Sequence, residues 1–416
     1  MPPPPADPHP EIVRRTFLLE SVRSVAVGIQ ETAFITFAIL IAVKQFDSGP
    51  GEKSIILAGQ AVGLIGSLFI MPLVRRFSLK LNHAAGIIGV LGAIAFAFSA
   101  LSARHSETGF IVGMSLGFLF MALPMPLQTQ MLRHNFPDSR LGRLFSVTMV
   151  VRAVTAMVIS YVGGKWLEAD FENFTGLLLL FTGAAAVSAV CFWLLPSPKV
   201  EKTTERPPIF HSMRWLKEDR VFLLVICAAM AMGLGFLPAS ALRVDFLANE
   251  KHGILLDVAT ISLITGIIPS AARLLSSFFW GWLFDHVNFF RLRVAVNLMF
   301  LTAVILYYST PMVSLIITGS ILLGLARGGG EILWNLWVTK LAKQEHVGEY
   351  MSVHTFLTGS RALLAPFLGF YIADYFSIKI LMFVSVGFIA LSLVFLWPLL
   401  GMGKKGKTNQ QGTIGE

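Results

Sequence analysis

The stretch ILMFVSVGFIALSLVFLWPLL (380–400) carries no charged residue and is long enough to cross a bilayer as a helix. A hydrocarbon core about 30 Å thick takes roughly 20 apolar residues at a helical rise of about 1.5 Å each. A barrel strand is a poor alternative, because such strands alternate polar and apolar residues over about ten positions. Working back along the chain, comparable runs fall at 17–43, 54–74, 82–103, 109–132, 144–166, 174–196, 221–247, 257–284, 293–309, 312–339 and 349–373, with the run quoted first extended to 377–400. Of the 416 residues 55% are hydrophobic and only 14% charged, where a soluble domain carries about a quarter. The expected fold is an all-α polytopic membrane protein with twelve transmembrane helices.

The spans divide six and six. Residues 1–196 form an N-terminal half, 197–220 a basic, proline-rich linker, 221–400 a C-terminal half and 401–416 a polar tail. The lead MPPPPADPHP suits an extended chain and lacks the charged start and cleavage site of a signal peptide. Within the linker, Ile209 to Arg220 alternates aromatic and basic residues, as in a short surface helix or a solvated basic segment. Net charge is +9. Lys and Arg concentrate in the loops that share a side with both termini, so those termini are expected in the cytoplasm of a multi-pass plasma (inner) membrane protein. The basic balance then answers to anionic headgroups, not to nucleic acid. Cys191 and Cys227 both fall within spans, which disfavours a disulfide framework and supplies no metal ligand set. No cofactor is expected.

A repeat runs beneath this pattern. Displaced by 206 positions, LGRLFSV (141–147) lies over VGEYMSV (347–353), matching Gly142 to Gly348, Ser146 to Ser352 and Val147 to Val353, and further on Gly163 to Gly369. Both segments lead into equivalent spans, the fifth and the eleventh. Parallel repeats of six spans are a transporter arrangement, with the site at midplane depth. The loop GWLFDHVNFFRLR (281–293) resembles the G-x-L-x-D-[RH]-x-G/N-x-x-R loop of the major facilitator superfamily through Gly281, Leu283, Asp285, His286, Asn288 and Arg291. The first-half counterpart, PLVRRFSLKL (72–81), departs from it in having neither the glycine nor the aspartate. The resemblance implies two six-helix halves, a small-molecule substrate moved by alternating access, a monomer, and a gating role for Gly281, Asp285 and Arg291. It also implies that spans one, four, seven and ten line the cavity, so that Glu31 and Glu331 face it.

Charge at bilayer depth costs about 2.5–3.5 kcal/mol per residue on insertion scales, which makes each such residue a functional candidate. Arginines within spans are Arg23, Arg152, Arg243, Arg273, Arg327 and Arg361; Arg23 and Arg243 lie towards span ends, where they can snorkel. Acids at that depth are Glu31 and Glu331, with Asp245 nearer an end. In LGLARGGGEILWNLWVTK (323–340), Arg327, Glu331, Trp334, Asn335 and Val338 share a helix face. The three glycines between Arg327 and Glu331 permit bending or a close neighbour. Thr148, Arg152 and Thr155 form one stripe and their repeat mates His354, Thr358 and Arg361 another, which suits a two-arginine clamp on a carboxylate or phosphate. Arg273 shares its stripe with Ser262, Gly266, Pro269 and Ser276, and it can line the cavity or pair with Glu31. Pro124 and Pro126 predict a kink, beside Gln128 and Gln130.

The expected substrate is a small organic anion held by Arg152, Arg273, Arg327 and Arg361 and oriented by Asn335, Trp334 and Gln128. Glu31 or Glu331 then exchanges a coupling proton. The structural alternative for each arginine is a packing strut bonded to a neighbouring acid or carbonyl. Alternatives at the level of function are a proton-driven exporter of amphipathic compounds and a non-transporting sensor or scaffold. An enzyme is not expected: LARGGGEI lacks the lysine ending of a phosphate loop and lies within a span.

Overall fold

The computed structural model describes residues 9–136, 138–197, 211–341 and 347–401. The extended lead, most of the linker and nearly all of the tail lie outside the described residues, as do the side chains of Asp285, Asn335 and residues 141–146 of the repeat. Twelve helices are long and apolar enough to cross a membrane: Pro10–Phe46, Pro50–Arg76, Leu81–Ser102, Glu107–Leu132, Val147–Ala169, Phe171–Leu194, Arg220–Ala248, Val258–Phe284, Phe289–Tyr308, Val313–Trp334, Val353–Tyr375 and Ile378–Leu399, called spans 1 to 12 below. No strand occurs among the described residues, and the all-α reading stands.

Local chemistry sets the span ends. Span 1 starts at Pro10, ahead of the expected Phe17, because proline suits the first helical position and His9 caps it, Nδ1 accepting the Glu11 N–H at 3.4 Å. Span 9 starts at Phe289, a turn earlier than the hydropathy suggests, since Asn288 accepts N–H groups from Phe290 (2.9 Å) and Arg291 (3.4 Å). The proline kink in span 4 is present: one helix ends at Ala122 and the next begins at Met125. Spans 1 and 8 each contain a π-helical turn, Ala33–Phe37 and Leu263–Ile267. The second precedes Pro269, which cannot donate into the ladder. Ile209–Arg220 is helical over part of its length, as a 3-10 turn at His211–Arg214 and one α turn at Trp215–Glu218.

By contact the chain forms two compact units, Met1–Pro207 with Val244–Ile267, and Pro208–Arg243 with Ile268–Glu416. The first unit thus takes in the end of span 7 and the start of span 8. Lys53 Nζ donates to Asp245 Oδ1 at 2.6 Å, and Thr36 Oγ1 meets Thr265 Oγ1 at 3.0 Å, joining the two π turns. Small residues permit this docking: a Cβ on Gly164 would lie 2.8 Å from Ser262 Oγ, and one on Gly266 2.5 Å from Ser160 Oγ. The second unit holds spans 9 to 12 with most of spans 7 and 8.

Candidate functional site: arginine–carboxylate pairs within the spans

In the first unit, span 1 carries Glu31 and span 5 carries Arg152. Their side chains meet at 2.5 Å, Nε to Oε2, with Glu31 11% and Arg152 43% exposed. Gly28, one turn before Glu31, makes the meeting possible. A Cβ there would lie 2.6 Å from the Arg152 carbonyl oxygen and 2.9 Å from Thr155 Cβ, so only glycine lets span 5 approach this closely. Thr155 itself bonds back to the Val151 carbonyl at 2.8 Å.

A second charged group lies along span 1. Arg23, expected to snorkel, is instead buried. It pairs with Glu20 at 2.8 Å and lies over the Phe192 ring at 4.8 Å. Gln128 donates to the same Glu20 carboxylate at 3.0 Å, so this candidate ligand residue has a protein partner. Glu20 was missed from sequence. The available signal was an acid three residues before an arginine, which puts both on one helix face.

In the second unit, Arg273 on span 8 pairs with Glu331 on span 10 at 3.0 Å, with exposures of 16% and 39%. The sequence leaves Arg273 between a cavity position and Glu31. The glycine run explains the choice of Glu331: a Cβ on Gly328 would lie 2.5 Å from Ser276 Oγ, and one on Gly329 2.7 Å from the Trp280 ring. The three glycines therefore serve close packing of span 10, which continues as one helix to Leu341. Trp280 anchors the contact by donating from Nε1 to the Leu325 carbonyl at 2.8 Å. Arg327 donates to Ser240 Oγ at 2.9 Å and lies 5.6 Å from the Phe236 ring centre.

Arg361 is buried, at 9% exposure, and its guanidinium donates to the carbonyl of Ala229. Gly233 on span 7 makes room for the Arg361 side chain, whereas Gly28 on span 1 faces the backbone carbonyl of Arg152 and the side chain of Thr155. Trp334 lies 5.4 Å from the His354 ring. At the loop after span 8, a Cβ on Gly281 would meet nothing within 4 Å. Arg291 is exposed, and the turn is capped by Asn288. Among the described residues no group of three His, Cys, Asp or Glu is placed to hold a metal ion.

Each unit therefore holds an arginine–glutamate pair that ties two spans together and leaves one partner accessible. A guanidinium has five donors in a planar fork, a geometry that suits the oxygens of a carboxylate or phosphate. Twelve membrane-crossing helices with ion pairs buried among them define a polytopic membrane protein. The family model of the Major Facilitator Superfamily matches residues 24–353 and 221–415, and the chain belongs to that superfamily. It is a twelve-span membrane transporter of a solute.

A search of curated proteins finds no match. Solved structures share the fold at low identity. A mutant form of the nucleoside transporter NupG is similar at TM-score 0.73 and 11% identity, covering 94% of this chain and 99% of that one. A D-xylose-proton symporter is similar at TM-score 0.67 and 14% identity, covering 92% and 97%. A POT family transporter in complex with 5-aminolevulinic acid is similar at TM-score 0.69 and 13% identity, covering 95% and 97%.

Proposed function

We propose that the protein moves a small organic anion across the membrane by alternating access, in exchange for or together with a proton, and that it works as a monomer in the plasma (inner) membrane with both termini cytoplasmic. In this reading residues 1–196 and 221–400 are the two halves that move, and Gly281, Asp285 and Arg291 gate the motion. The carrying observation is the Arg273–Glu331 pair, 3.0 Å apart with the glutamate 39% exposed. An anion that binds Arg273 competes directly with Glu331. In this reading the carboxylate displaced from its cation is neutralised by the coupling proton. Anion entry and proton uptake are then one event, and release of both restores the pair. Glu31 and Arg152 repeat the arrangement in the first half, and Arg327 offers a further fork. The solved neighbours support small organic solutes as the general class: they include a nucleoside transporter, a D-xylose-proton symporter and a POT family transporter holding 5-aminolevulinic acid.

The same two pairs also favour a second reading, export of amphipathic compounds, in which the arginines act only as struts. Thermal-shift titration of the purified protein with organic anions, neutral amphiphiles and organic cations separates the two. Stabilisation by an anion, lost in Arg273→Gln and Arg327→Gln, followed by flux of that anion into proteoliposomes, is the expected result. Stabilisation by cations or neutral amphiphiles alone overturns the anion reading.

A further inference from the structure

We infer that the anion held by Arg327 carries an aromatic ring, and that two residues of span 7 select it: Phe236, which faces that ring, and Ser240, which aims the guanidinium. The inference rests on the anion reading above and names the substrate class within it. Arg327 reaches from span 10 to span 7, where its Nη2 donates to Ser240 Oγ at 2.9 Å. The same guanidinium lies 5.6 Å from the centre of the Phe236 ring. Phe236 and Ser240 are one helical turn apart, so both address Arg327 from one face. The backbone between them is held from two further spans. Tyr308 of span 9 donates its hydroxyl to the Ala239 carbonyl, and a Cβ on Gly369 of span 11 would lie 2.6 Å from the Pro238 carbonyl oxygen. Phe236 is itself backed by Phe300 of span 9, with ring centres 4.6 Å apart. Both selecting residues therefore stand on a backbone that its neighbours fix in place.

Arg327, Phe236 and Ser240 are each half-buried, while Phe300 behind them is buried. A guanidinium at mid-span depth does not turn its open side to hydrocarbon. The open side of this cluster therefore meets water, and a solute that enters there meets charge and ring together. The Ser240 bond sets the plane of the fork, and a carboxylate docked on that fork brings its carbon skeleton against Phe236. A phosphate ester or a polyhydroxylated acid would lay polar groups on the ring and lose their bonds to water. An aliphatic acid gains contact area alone. An aryl acid also gains the tilted ring-on-ring geometry that Phe236 already adopts with Phe300. Two turns along the same face of span 10, Trp334 presents a second half-buried ring.

The experiment titrates purified protein with sodium benzoate and 3-phenylpropionate and with their saturated counterparts, cyclohexanecarboxylate and 3-cyclohexylpropionate, at constant pH and ionic strength, and reads Tm. The saturated acids are the more hydrophobic, so burial alone ranks them first. The expected result is the reverse order, with each phenyl acid acting at about fivefold lower concentration than its counterpart. This ranking needs no variant. Phe236→Leu should bring the two members of each pair together. Ser240→Ala should weaken both members about fivefold and keep their order, and Ser240→Thr, which restores the hydroxyl, should restore affinity. Equal or reversed ranking in the wild type overturns the inference, as does a phenyl preference that persists in Phe236→Leu or wild-type affinity in Ser240→Ala. Binding of aliphatic acids or phosphates through Arg327 without a phenyl advantage removes this inference and leaves the anion reading standing, whereas no response to any anion removes both.

Discussion

At the scale of single residues, the most deeply buried ion pair among the described residues is Lys53–Asp245, with side chains 3% and 1% exposed and 2.6 Å apart. Asp245 also meets His252 Nε2 at 3.0 Å. Removing one partner leaves a buried charge uncompensated, which costs more than the pair itself contributes. Lys53→Met is therefore expected to lower stability by about 3–5 kcal/mol, and the double change Lys53→Met with Asp245→Leu by less than the single one. Thermal unfolding of the purified variants measures this; a double variant as unstable as the single change sinks the argument. This pair was not legible in the sequence, because its members are 192 positions apart and Asp245 reads as a span-end acid free to reach water. Arg23 misled in the same way. Its position suggested snorkelling, whereas Glu20 and the Phe192 ring hold it inside. Hydropathy gives the depth of a charge along one helix but not the neighbour that waits there.

At the scale of elements, glycines sort by what faces them. A methyl group added at Gly28 meets the Arg152 carbonyl oxygen at 2.6 Å, while one at Gly281 meets nothing. Gly28→Ala must force spans 1 and 5 apart, at a cost of about 1–3 kcal/mol, and should also loosen the Glu31–Arg152 pair. Gly281→Ala should be neutral or stabilise by up to about 1 kcal/mol, since alanine is the better helix former. Melting temperatures of both variants test the contrast, and a transport defect in a stable Gly281→Ala protein would support the gating role proposed for that loop. Span 8 offers a pH-dependent case. Asp257 caps its start, accepting the Thr260 N–H at 2.8 Å and the Thr260 hydroxyl at 2.6 Å. The Thr260 hydroxyl in particular holds the Asp257 carboxyl below the usual range. A depressed carboxyl contributes stability above its unfolded value, about 3.9, and loses that contribution as pH falls through the folded value. Asp257→Ala should cost about 1 kcal/mol at neutral pH, and the wild-type and variant melting curves should converge in acid. The repeat was visible in sequence as a few matched residues around Gly142 and Gly348, but its packing meaning was not. Gly233 gives the Arg361 side chain its room, Gly28 lets the span 5 backbone approach span 1, and neither glycine announces what it faces.

At the scale of the whole molecule, the twelve spans and the family were legible because hydropathy is one-dimensional: each helix must cover the bilayer whatever its neighbours are. The charge partners were not, since Glu31–Arg152 and Arg273–Glu331 join residues 121 and 58 positions apart. In the proposed function the two pairs act through their balance of charge. If an anion displaces Glu331 from Arg273 and the freed carboxylate takes a proton, a pH gradient drives accumulation only while Glu331 can titrate. Glu331→Gln keeps the shape of the side chain and removes the titration. It also removes the carboxylate charge that competes with the anion for Arg273, so affinity should hold or rise. Exchange of labelled anion for unlabelled anion across the membrane needs no net proton movement, and it should therefore persist. The expected outcome in proteoliposomes is loss of pH-driven uptake by at least tenfold with exchange kept within a few-fold of wild type. Loss of both activities would make Glu331 a strut whose removal disables the carrier. Retention of both would shift the coupling to Glu31, where the corresponding change, Glu31→Gln, should then separate gradient-driven uptake from exchange.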